Sequence, residues 1–140
     1  MKKILLAVFI LFTALNIFSQ SQFITKKDSV LVETGSGVLL SASLNGYYEN
    51  ITIALLPDNA SRIDSITAFV SCDDTSGVYS QVRMKNCLTG EEITGITQSD
   101  LTDGEPRMFE VITPAPIIIM FKYVADGDLD LSYYFKAIRK

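Results

Sequence analysis

Residues 116–138 read PIIIMFKYVADGDLDLSYYFKAI, and the fold class turns on how this stretch is parsed. The run from Ile117 to Phe121 is far shorter than the roughly 20 apolar residues a membrane-spanning helix takes. Three consecutive isoleucines favour β-structure instead. Period two puts Ile117, Ile119, Phe121 and Tyr123 on one face, toward a core. Ile118, Met120 and Val124 fall on the other face, with Lys122 as its only charge. Such a strand is central and covered in part on both sides. Pro114 and Pro116 stand at its entry, where proline is tolerated.

After Ala125-Asp-Gly-Asp128 the alternation resumes at once. Leu129, Leu131, Tyr133, Phe135 and Ala137 alternate with Asp130, Ser132, Tyr134 and Lys136. Asp-Gly tolerates positive φ and marks tight turns, so this stretch predicts an antiparallel hairpin of 117–125 with 129–138. The three aspartates do not make a helix-loop-helix calcium site, which needs Gly at position six and Glu at position twelve. Counting from Asp126, Gly127 is second and Lys136 eleventh. The acids read as turn chemistry, with no metal and no cofactor expected.

The same period recurs along the chain. Val38, Leu40, Ala42 and Leu44 alternate with polar or small residues, as do Ile51, Ile53 and Leu55, and Ile66, Ala68 and Val70. Val82 and Met84 oppose Gln81, Arg83 and Lys85, and Phe109 and Val111 mark a strand at 107–113. Turn signals at 33–37, 44–46, 57–61, 73–77, 88–92 and 101–106 separate these runs. A helix at 57–64 or 97–103 is limited to one or two turns. The pattern predicts an all-β fold, an antiparallel β-sandwich of jelly-roll or Ig/CUB-like type with about 7–9 strands. The FKYVADGDLDLSYYFKAI pattern (121–138) resembles that of CUB-type extracellular modules over the last third of the chain. The cysteine spacing departs from that family, and its first disulfide has no counterpart here.

The N-terminus has the form of a secretory leader. Lys2 and Lys3 precede an apolar run from Ile4 to Leu15, then polar Gln20-Ser-Gln22. A signal peptide of residues 1–19 and one domain of residues 20–140 are expected, the domain being about 121 residues long and within the size of a single core. It carries all sixteen acids against ten Lys and Arg, a balance of about −6. That charge disfavours nucleic acid, where phosphate neutralisation drives affinity, and anionic membrane surfaces.

The chain has no His and no Trp. Ser-His-Asp and Cys-His catalysis and His-ligated metals are thereby excluded, and no enzyme is expected. Cys72 and Cys87 are the only cysteines, and for an exported chain an even count predicts a disulfide. A simple hairpin of 65–72 with 78–86 opposes that pairing. It would set Cys87 nine residues up the partner strand, on the order of 30 Å away at ~3.3 Å per residue, against the ~7 Å a disulfide allows.

Neighbouring tyrosines in a strand face opposite ways, so one of Tyr47-Tyr48 and one of Tyr133-Tyr134 should be exposed. Tyr47, Tyr48, Asn50 and Tyr134 are the candidate ligand-binding residues, because a ring with a hydroxyl serves protein and glycan contacts alike. The expected role is a secreted or periplasmic non-catalytic binding or adhesion module for a protein or glycan at the cell surface. The alternatives are a subunit of a cell-envelope assembly and, third, a small carboxylate-dependent hydrolase.

Overall fold

The computed structural model describes residues 23–44, 48–72, 77–113 and 116–139. The expected leader, Tyr47, Pro114 and most of the 73–77 turn lie outside them. Nine strands follow in order: β1 (Phe23–Val32), β2 (Gly35–Ser43), β3 (Tyr48–Pro57), β4 (Ile63–Ser71), β5 (Ser80–Asn86), β6 (Glu92–Ile93), β7 (Arg107–Ile112), β8 (Ile118–Ala125) and β9 (Leu129–Arg139). Single 3₁₀ turns at Ala60–Arg62 and Gln98–Asp100 occupy the two places where short helices were expected.

The all-β expectation holds, but the sandwich is corrected to a single barrel-like sheet. Its strand order is β1-β9-β3-β7-β5-β4-β8-β2, with β6 on β5. The reason lies in β5, which serves two neighbours. Ser80–Val82 pair with β4, and Arg83–Asn86 pair with β7. One strand thus carries the ladder from one half of the sheet to the other, as strands do at the corners of curled sheets.

The two ends of the sheet, β1 and β2, are consecutive in sequence. They are joined only by Glu33-Thr34, yet they share no ladder. The seam between them is crossed by the Lys26 Nζ, which donates to the Ser41 carbonyl at 2.7 Å. Lys26 lies opposite Phe135 in the β1–β9 register, on the inward face of its strand. An inward charge on an edge strand is a recognised guard against edge pairing.

The predicted hairpin of 117–125 with 129–138 does not form. β8 pairs with β2 and β4, whereas β9 pairs with β1 and β3. Ala125-Asp-Gly-Asp128 is a link between the two halves of the sheet. The alternation on either side was read correctly: Phe121 and Phe135 are both fully buried. Their rings meet edge to face across the interior at 6.2 Å between centroids. The barrel is therefore filled by side chains, as expected for a small one. Ile53 lies between Phe109 and Phe135 in register, and all three are wholly buried.

One strand face was misread locally. A register break between Val38 and Leu40 marks a bulge. It buries both Leu39 and Leu40 and leaves Val38 exposed, since an extra residue in one strand flips the alternation.

The expected disulfide is also corrected. Cys72 and Cys87 are free and exposed. β4 and β5 do form the simple hairpin, with Ala68 opposite Val82 and Val70 opposite Ser80. Cys72 therefore falls level with Val78, and Cys87 lies about nine residues further along, on the order of 30 Å. The turn of β5 toward β7 carries it away from β4 altogether.

Candidate functional site

The exposed side of the β1-β9-β3-β7 half carries a cross-strand row. Lys27 on β1 lies opposite Tyr134 on β9, Tyr134 opposite Ala54 on β3, and Ala54 opposite Met108 on β7. Alternation puts this row one step from the buried Phe135-Ile53-Phe109 row, so it faces solvent. Tyr134 and Met108 are 44% and 51% exposed, and Leu56, two residues along β3, is 37% exposed. Opposed side chains on a sheet have Cβ atoms about 5 Å apart. The short Ala54 thus forms a floor between a ring on one side and a thioether on the other. Lys136 and Glu110 border the row through Thr52. The arrangement offers adaptable apolar contact with a hydroxyl and charges at its rim.

The other sequence candidates do not join it. Tyr48 is buried in the core, and so is Tyr133, the residue before Tyr134 on β9. Burial, together with the nearby Asp28 carboxylate, pushes the Tyr133 hydroxyl above the ordinary tyrosine range. Asn50 is exposed, at a positive φ of 54°. It sits in the register break between Glu49 and Thr52, where Asn tolerates the left-handed region that other side chains resist. Four residues separate it from Ala54, about 13 Å at ~3.3 Å per residue. Cys72 lies apart from the row, whereas Cys87 adjoins its β7 end, its backbone N–H donating to the Met108 carbonyl at 3.0 Å; the two cysteines lie apart from each other. Burial and the neighbouring Glu110 carboxylate push the Cys87 thiol up.

Met108 was not singled out in the sequence, though the alternation of Phe109 and Val111 already implied its outward face. A second feature, on the β2-β8-β4 half, had no sequence signal. It is a shallow depression of about 400 Å³ that includes Ser36, Val38, Thr67, Phe69 and Lys122 in its wall. The Lys122 ammonium rests 5.0 Å from the centre of the Phe69 ring. Gly37 makes room for Tyr123 there: a Cβ at 37 would meet the phenol at 2.6 Å.

Among the described residues, no three His, Cys, Asp or Glu side chains gather as a metal site. The acids of the opening stretch are used in other ways. Asp128 Oδ1 accepts from the Thr34 backbone N–H and hydroxyl. The Asp126 N–H donates to the Arg62 carbonyl, and the Asp130 N–H to the Asp58 carboxylate.

No family model and no curated protein matches the chain. Among solved structures, the SPBc2 prophage-derived protein YomS is similar in fold. It aligns with a TM-score of 0.51 at 16% identity, over 81% of this chain and 95% of that one. A structure of infectious bursal disease virus, Gt strain, aligns at a TM-score of 0.29 and 12% identity, over 86% of this chain and 42% of that chain. The first likeness concerns the fold alone, and the second carries no argument.

Proposed function

We propose that this chain is a non-catalytic binding module that engages a protein or glycan through the outer face of β9, β3 and β7. The supporting observation is the Tyr134-Ala54-Met108 row, in which large adaptable side chains stand exposed on a rigid sheet. Tyrosine and methionine are enriched at interfaces because they bring contact area at low polar cost. We place the module in the periplasm or outside the cell. That placement rests on residues 2–20 alone, since the free thiols lend it no weight.

The test is a glycan array and an envelope-protein blot probed with the intact chain and with a Tyr134→Ser/Met108→Ser variant of unchanged melting temperature. Loss of a saturable signal in the variant supports the reading. Equal signal from both proteins removes the row from the function.

A second reading, a subunit of an envelope assembly, has one observation of its own. β2 is an edge strand of nine residues without a single charge. Uncharged edges accept further strands, and sedimentation of the purified chain over a concentration series tests for self-assembly.

A further inference from the structure

We propose that the outer face of β2, β8 and β4 is a binding site for an acidic saccharide unit, with Lys122 as its anion contact. The registers place nine residues of this face in three cross-strand rows, of which Met120 is buried. Phe69, Met120 and Ser41 form the first. Thr67, Lys122 and Val38 form the second. Ser65, Val124 and Ser36 form the third.

Lys122 is thus the centre of a square whose other members are hydroxyl-bearing or apolar. None of the nine is acidic, in a chain with sixteen Asp and Glu and a net charge of −4. Among the described residues no carboxylate lies within ion-pair distance of Lys122. Its ammonium leans on the Phe69 ring at 5.0 Å. An ammonium against a ring is partly desolvated, and apolar flanks strengthen whatever anion it meets.

The depression there, about 400 Å³, lies within the 300–1,000 Å³ typical of small-ligand sites. Ser36 and Thr67 put hydroxyls around its rim, while Val38 and Val124 offer apolar surface. A pyranose with a carboxylate substituent matches all three elements. Its C–H face lies on the valines, its hydroxyls meet the serine and threonine hydroxyls, and its carboxylate meets Lys122. A neutral sugar leaves the cation unmatched. A flat aromatic acid leaves the hydroxyls unmatched.

Titration calorimetry of the intact chain with trigalacturonate, and with neutral galactotriose as control, decides the matter. Saturable binding of trigalacturonate is expected, at least ten-fold tighter than galactotriose and weakening as salt rises. Lys122→Gln should abolish that preference and Lys122→Arg should retain it. Lys85→Gln removes an exposed cation on β5, away from β2 and β8, and should change nothing. The Tyr134→Ser/Met108→Ser variant should bind as the parent does, which separates this site from the row on β9, β3 and β7. Absence of saturable binding overturns the proposal. So does equal affinity for the neutral sugar, an unaffected Lys122→Gln protein that melts as the parent does, or benzoate binding as tightly as trigalacturonate.

Discussion

One carboxylate oxygen of Asp128 accepts both the backbone N–H of Thr34, at 2.8 Å, and its hydroxyl, at 3.0 Å. Ninety-four residues separate the partners. The bond joins the link between β8 and β9 to the corner between β1 and β2, where the two ends of the sheet meet. The backbone N–H of Thr34, and then its hydroxyl, hold the Asp128 carboxyl below its ordinary range. A depressed carboxyl contributes stability above its unfolded pKa and loses it as pH falls through the folded one. Asp128→Ala should therefore melt below the parent at neutral pH. The difference should shrink progressively once pH drops below about 4, the ordinary range of aspartate. Thermal melts of both proteins down an acid series check this, and a pH-independent difference would refute the carboxylate's role.

Gly127 is needed for space. It is not among the positive-φ residues. A Cβ there would lie 2.6 Å from Arg62 Nη1 and 2.8 Å from its Cδ. Gly127→Ala should cost about 1 kcal/mol, because the Arg62 side chain must move to relieve the overlap. Adding Arg62→Ala should recover most of the loss. A double-mutant cycle by denaturant unfolding measures the coupling, and additive costs would show that the crowding is immaterial.

Adjacent residues on β9 should behave in opposite ways. Phe135 is fully buried and Tyr134 is 44% exposed. Phe135→Ala should cost about 3–5 kcal/mol through the cavity it leaves, while Tyr134→Ala should stay within about 0.5 kcal/mol. Urea unfolding of both variants is the measurement. A costly Tyr134→Ala would mean that the row is structural.

Both cysteines should react with an alkylating agent without prior reduction, as seen by intact mass. Near the thiol pKa, Cys87 should react more slowly than Cys72, because its thiol is pushed up by burial and then by Glu110 and the thiolate is the nucleophile. A Cys72→Ser/Cys87→Ser variant should melt close to the parent, without the roughly 2–5 kcal/mol penalty of a lost native disulfide. A mass two protons light would restore the bond.

Strand faces were legible in the sequence, and strand partners were not. Ile51, Ile53 and Leu55, and Ile66, Ala68 and Val70, are buried as their alternation requires. Alternation reports only which side of a sheet a residue takes. It is equally well satisfied by β9 beside β8 or by β9 between β1 and β3. Asp126-Gly127 pointed to the first arrangement because such pairs commonly close hairpins. What excluded it is the destination of each strand, set by contacts with β1 to β4 that lie far off in sequence. The bulge at Leu39 was hidden because consecutive leucines fit either face. The geometric objection to a disulfide was legible, and it was the compartment argument that misled. Tyr134 could be placed on the surface from its neighbours alone. Its partners Ala54 and Met108, and the square around Lys122, exist only through the register of three strands.

The sheet order has a consequence for timing. β9 is the last of the nine described strands, and it sits between β1 and β3 rather than at an edge. A ribosome must have read through β9 before the first and third strands can acquire the neighbour that joins them. Half of the sheet must therefore wait, open, until residues 129–139 have been made. A premature stop anywhere before residue 129 would remove the middle of that half, and β1 would be left with no partner in the ladder.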